Sequence, residues 1–124
     1  MDIIKTAINF KDARGEITDL LEGKNVNAVT RITFTKGSVR GNHFHKETTQ
    51  WNYLIRGKVK ILVQVGDGAI KEIILQPGDL VSTAPMEKHA IVGIEESDLL
   101  VFTEGPRGGK EYESDTFRLE SPLA

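Results

Sequence analysis

Short runs of alternating, β-branched residues, each closed by a turn dipeptide, leave this chain few architectures to choose from. Ala28 to Thr35 alternates as a half-buried strand should. The stretches Gln50 to Ile55, Lys58 to Val65, Ala69 to Leu75, Leu80 to Thr83, His89 to Ile94 and Leu99 to Thr103 follow the same pattern. Between them stand Lys36-Gly37, Arg56-Gly57, Gly66-Asp67-Gly68, Pro77-Gly78 and a turn around Pro85. Strands this short and this regularly spaced predict an antiparallel sandwich or barrel. The one stretch with a helical pattern, Ile17 to Glu22, is very short.

Size fits this reading. At 124 residues, 39% of them apolar, the chain is predicted to form one domain, its core spanning about residues 27–103. No apolar run approaches the roughly 20 residues that cross a bilayer. The N-terminus lacks the basic start and apolar stretch of a signal peptide, and there is no cysteine, so a cytoplasmic location is expected. Net charge is −2 with no basic block, which argues against nucleic acid as a partner. An early segment, Asp2 to Asn9, reads as a further strand with no evident partner. An unpaired edge is a liability, and a two-fold homodimer in which this segment meets the other subunit is the expected remedy.

All three histidines fall in one pattern. His43 and His45 are spaced to leave the same face of a strand. They follow Gly37 as G-x5-H-x-H, with Gln50 and then Gly57 behind them, and His89 follows Gly78. Three neutral imidazoles and an amide oxygen can hold one divalent transition metal such as Zn, Fe, Mn, Co or Ni. The same imidazoles can instead serve as metal-free acid/base groups, because histidine titrates near working pH. By strand alternation Gln50 and Asn52 share the pocket-directed face, while Trp51 and Tyr53 pack, with Tyr53 a further candidate for acid or stacking group. No organic cofactor is indicated.

The string from Gly37 through His43, His45, Gln50 and Gly57 resembles the first cupin motif, and Gly78 through His89 resembles the second. The resemblance implies an all-β, antiparallel double-stranded β-helix, the jelly-roll barrel of cupins. Two departures stand out. Gln50 replaces the glutamate of metal-binding members, and Ala84 and Met86 fill the usual proline and glycine slots.

A narrower resemblance covers about residues 8–60. Arg40-Gly41-Asn42-His43-Phe44-His45-Lys46 is similar to the matching strand of the dTDP-sugar 3,4-ketoisomerases, and Asp12-Ala13-Arg14-Gly15 is similar to an early motif of those enzymes and of the dehydrorhamnose epimerases. It implies a nucleotide-sugar substrate, with His45 as first choice of base and His43 as second. Arg40, Asn52, Tyr53 and Arg107 are the expected substrate-binding residues. Arg14 and Arg107 add guanidinium groups suited to a diphosphate, whereas Arg31 reads as a solvated surface residue. The tail from Gly105 to Lys110 looks more like small cupins of surface-polysaccharide gene clusters. Three functions remain open: a sugar-nucleotide isomerase or epimerase, a metal-dependent dioxygenase or lyase, and a non-catalytic metabolite-binding module.

Overall fold

The computed structural model describes residues 1–4, 6–106 and 113–124. Its strands are β1 (Asp2–Ile4), β2 (Phe10–Asp12), β3 (Gly15–Ile17), β4 (Ala28–Phe34), β5 (Val39–Phe44), β6 (Thr49–Arg56), β7 (Val59–Val65), β8 (Lys71–Leu75), β9 (Leu80–Thr83), β10 (Glu87–Gly93), β11 (Ser97–Glu104) and β12 (Phe117–Arg118). One five-stranded sheet runs β1-β9-β6-β11-β4 and a second runs β12-β5-β10-β7-β8, with every pairing antiparallel. Strands β2 and β3 form a separate hairpin. This is the jelly-roll barrel expected of the sequence.

Alternation builds the core. Phe34, Leu54, Val81, Leu99 and Val101 come from the first sheet, and Val59, Ile61, Val63, Leu75 and Ile91 from the second. Each such burial stabilises the fold by roughly 1.5–3 kcal/mol. The turn between β6 and β7 shows how tightly the barrel closes. Gly57 has φ +94°, and a Cβ there would lie 2.4 Å from the Glu96 carbonyl oxygen. Only glycine fits that position.

Three expectations change. The early segment does have a partner within its own chain, since Asp2, Ile3 and Ile4 pair with Ser82, Val81 and Leu80. Ile17 to Glu22 is not helical: Ile17 ends β3, and the residues after it take irregular backbone. Arg31, read from the sequence as a solvated surface residue, donates two hydrogen bonds of 2.7 Å to Asp98 on β11. Arg31 is therefore an exposed arginine held by an ion pair.

The strand carrying the histidines contains the feature that shapes the site. His43 opposes His89, but Gly41 opposes Ala90, so Asn42 is one residue too many on β5. Gly41 and Asn42 have φ of +88° and +57°. Such a β-bulge reverses the inward–outward phase of a strand. Strict alternation would send Arg40 and His43 to opposite faces. With the bulge, both face the interior between the two sheets.

Candidate active site

A cavity of about 280 Å³ opens between the sheets. Its polar wall consists of Arg40 and His43 from β5, Gln50 and Asn52 from β6, and His89 from β10. Its apolar wall includes Ile32, Phe34, Ile91 and Val101. The predicted alternation on β6 holds: Gln50 and Asn52 line the cavity, and Trp51 does not. Asn52 is anchored by a 3.1 Å hydrogen bond that its Nδ2 donates to the Val81 carbonyl. Arg40 lies over the Phe34 ring, 5.6 Å from its centroid, and donates to the Thr33 carbonyl at 3.2 Å.

The three imidazoles form one cluster. Ring centroids are 4.8 Å apart for His43 and His45, 4.7 Å for His43 and His89, and 5.3 Å for His45 and His89. His45 stands just beyond the end of β5, is 2% exposed, and is not among the residues lining the cavity. His43 and His89 meet the cavity directly.

Backbone carbonyls fix the tautomers of two of these rings. His45 Nδ1 lies 2.8 Å from the Asp115 carbonyl oxygen, and His89 Nδ1 lies 3.1 Å from that of Glu87. A carbonyl can only accept, so in both rings Nδ1 carries the proton and Nε2 is the basic nitrogen. Burial pushes His43 down to about 3, with the charges of His89, His45 and Arg118 acting in the same direction. Burial also lowers His89, to about 4, against the opposing pull of the Glu87 carbonyl. Both rings are neutral at pH 7, the state needed for a base and for a metal ligand.

The ligand atoms of His43, His45 and His89 all lie within 4.8 Å of one another. With Gln50 on the same cavity wall, the donor set suits one divalent transition ion. Tyr53 does not line the cavity, and Arg107 falls outside the described residues. Arg14 bonds Asp12 on the β2–β3 hairpin, with Nη2 2.6 Å from the carboxylate, and is also absent from the cavity wall.

Two contributors went unread in the sequence. Arg118 on β12 stands opposite His43 in the register and helps hold it neutral. Asp115, 4% exposed, contacts His45 and the turn after it. Neither belongs to a local motif, because the C-terminal segment reaches β5 only through the fold. The glycine slot of the second motif does have a readable logic. Met86 fills it at φ +69°, a conformation that favours glycine, and its N–H donates to the His45 carbonyl at 2.6 Å.

The polysaccharide biosynthesis C-terminal domain model matches residues 10–117, and the chain belongs to that family. No curated protein matches it by sequence. Among solved structures, the sugar 3,4-ketoisomerase QdtA of Thermoanaerobacterium thermosaccharolyticum, in complex with TDP, is similar at TM-score 0.79 and 27% identity, over 96% of this chain and 88% of that one. A variant of that enzyme in complex with TDP-4-keto-6-deoxyglucose aligns at TM-score 0.77 and 27% identity, covering 94% and 86% of the two chains. The dTDP-4-dehydrorhamnose 3,5-epimerase of Sulfolobus tokodaii shares the fold at TM-score 0.77 and 18% identity, over 92% and 73%. Among the described residues, no helix is long and apolar enough to cross a membrane.

The depressed histidines carry a consequence for stability. An unfolded histidine titrates near 6.5, whereas His43 and His89 in the folded chain stay neutral down to about 3 and 4. Below pH 6.5 the unfolded state therefore binds protons that the folded cavity refuses, and stability falls with pH by up to about 1.4 kcal/mol per unit for each ring. The Asp115 carboxyl is pushed up by burial, but hydrogen bonds from Thr48 and from the Lys46 and Glu47 N–H groups outweigh this and hold it below the usual range. Its contribution is lost only under more acidic conditions, as pH falls through that lowered pKa. Urea unfolding in chelator between about pH 7 and 5 should show the histidine slope, and a His43→Asn/His89→Asn double variant should flatten it. A wild-type profile with no slope would contradict the neutral, buried assignment.

Proposed function

We propose that this chain is a cytoplasmic, homodimeric isomerase or epimerase acting on a dTDP-hexulose in surface-polysaccharide biosynthesis. The observation that carries this reading is a small cavity with Arg40 and two neutral imidazoles on one wall, in a chain similar to a ketoisomerase over nearly its whole length. At about 280 Å³ the cavity lies at the small end of ligand sites, a size for one sugar ring with the nucleotide along the rim. The absence of cysteine accords with a reducing compartment.

A 3,4-keto shift needs little machinery. A base removes the proton from C3, next to the C4 carbonyl, and the carbonyl oxygen takes up a proton to give an enediol. The 3-hydroxyl then gives up its proton as C4 gains one, leaving the ketone at C3. An epimerase instead returns the proton to the opposite face of the same carbon. His43, on the cavity wall, is placed to meet the sugar, and His45 behind it completes the pair that exchanges protons. This reverses the order of preference drawn from the sequence. Arg40 supplies positive charge where the oxygen becomes electron-rich.

A second reading rests on the convergence of the three imidazole ligand atoms. Here His43, His45, His89 and Gln50 hold one divalent transition metal, which when bound polarises a substrate carbonyl or activates oxygen, as in a small-molecule dioxygenase or lyase.

The dimer is supported by the β2–β3 hairpin. Among the described residues it pairs with no other strand, and Phe10, Ile17 and nearby Ile8 are 52%, 59% and 51% exposed. A two-stranded hairpin is marginal by itself, so a second copy is the natural cover for this apolar surface.

Three experiments separate these proposals. With dTDP-4-keto-6-deoxyglucose as substrate, His43→Asn should lower kcat by roughly 100-fold or more while the nucleotide sugar still binds. Wild-type binding without turnover would mean a non-catalytic module, and full activity in the variant would remove His43 from the reaction. In metal titrations of chelator-treated protein, Gln50→Glu should tighten divalent binding roughly tenfold if Gln50 is a ligand. In the metal-free enzyme the same change raises the imidazole pKa values, so turnover at neutral pH falls and metal binding stays negligible. By light scattering, the wild type should be a dimer and Phe10→Asp/Ile17→Asp a monomer; a monomeric wild type rules the dimer out.

A further inference from the structure

The C-terminal segment returns across the barrel to the histidine strand, and one buried residue there makes two kinds of contact. The Asp115 carboxylate accepts hydrogen bonds from the N–H groups of Lys46 and Glu47, at 3.0 and 3.1 Å, and from the Thr48 hydroxyl at 2.6 Å. Its backbone carbonyl accepts the His45 Nδ1 proton at 2.8 Å. Asp115 and Thr48 are 4% and 1% exposed, so the bonds to the Thr48 hydroxyl and the His45 ring are shielded from water. Around them the same segment adds Phe117, stacked on Phe44 with centroids 5.3 Å apart, and Lys46 Nζ lies 4.4 Å from the Phe117 ring centroid.

From this we infer that Asp115 is a positioning residue for His45, which it holds in the Nδ1–H tautomer. The inference rests on the isomerase reading for its effect on turnover, but not for its effect on the ring. The carboxylate ties down the three residues that follow His45, and this fixes the carbonyl and the imidazole at one separation. A carbonyl partner has no proton to give, so the proton stays on Nδ1 and Nε2 remains the basic nitrogen. Remove the carboxylate, and two part-buried N–H groups and a buried hydroxyl lose their acceptor. The turn then relaxes, and His45 is no longer held to one tautomer. Among the described residues, no Asp115 hydrogen bond goes to a residue lining the cavity, and its reach to the site runs through His45.

The test combines a spectroscopic signature with kinetics. In long-range 1H–15N spectra of chelator-treated protein at neutral pH, the His45 signals are assigned by their loss in His45→Asn. Wild-type His45 should show one Nδ1–H tautomer, and Asp115→Ala a mixture. The kcat for a dTDP-4-keto sugar should fall about 10- to 100-fold in Asp115→Ala, with KM changed by less than about threefold. Asp115→Asn keeps one acceptor oxygen and should recover part of both readouts; it also serves where the alanine variant does not fold. A folded Asp115→Ala with an unaltered tautomer overturns the inference. An altered tautomer in a protein whose wild type turns over no keto sugar upholds the positioning role and rejects the isomerase reading instead.

Discussion

A single extra residue on β5 makes the site possible. Asn42 lies between Gly41 and His43 without a counterpart on β10, and the phase of the strand reverses there. The consequence is chemical: a guanidinium and an imidazole three positions apart come to share one cavity wall. The bulge needs left-handed backbone at two consecutive residues, and the chain supplies glycine and asparagine, which tolerate it best. Gly41 meets a second constraint, since a Cβ there would lie 3.0 Å from the His89 carbonyl oxygen. The close approach of β5 to β10 is what brings the rings of His43 and His89 together.

Burial then sets the state of those rings. Removal from water favours the neutral form of His43 and His89, and each disfavours charge on its neighbour. Neutrality alone would leave each ring free to choose which nitrogen carries its proton. The carbonyls of Glu87 and Asp115 remove that choice for two of them. Arg40 lines the cavity and Arg118 stands opposite His43 in the register, so the cavity attracts anionic or electron-rich ligands without a charged histidine.

Much of this was legible in the sequence, for physical reasons that can be named. Motif spacing located the histidine cluster because His45, just past the end of β5, follows His43 by two positions, and strand alternation separated Gln50 and Asn52 from Trp51. What remained hidden depends on register or on distant segments. That Ile3 pairs with Val81 follows from the closure of the sheet, and no local pattern in Asp2 to Asn9 announces it. Arg14 looked like a phosphate-binding residue, yet it makes a short ion pair with Asp12 two positions away. The six residues Ile17 to Glu22 are too few to nucleate a helix alone. Asp115 is one acidic residue in a polar tail, and its meaning appears only when the chain returns to β5.

The two ends of the histidine strand are held from opposite directions, and this division of labour bears on how the site can vary. The bulge at Gly41 and Asn42 orients His43 through backbone geometry, which a change elsewhere in the barrel does not easily undo. His45 lies past the end of β5 and is held by contacts from outside that strand. Its carbonyl receives the Met86 N–H and its ring donates to Asp115. Those contacts come from the turn before β10 and from the C-terminal segment, both outside the central strands of the core. Sequence change there can adjust the orientation of one imidazole while the cavity wall around His43 and His89 stays in place. Under the two readings proposed above for the site, proton transfer and metal ligation would draw on the same side chains, and the choice between them would turn on Gln50 and on how firmly His45 is held.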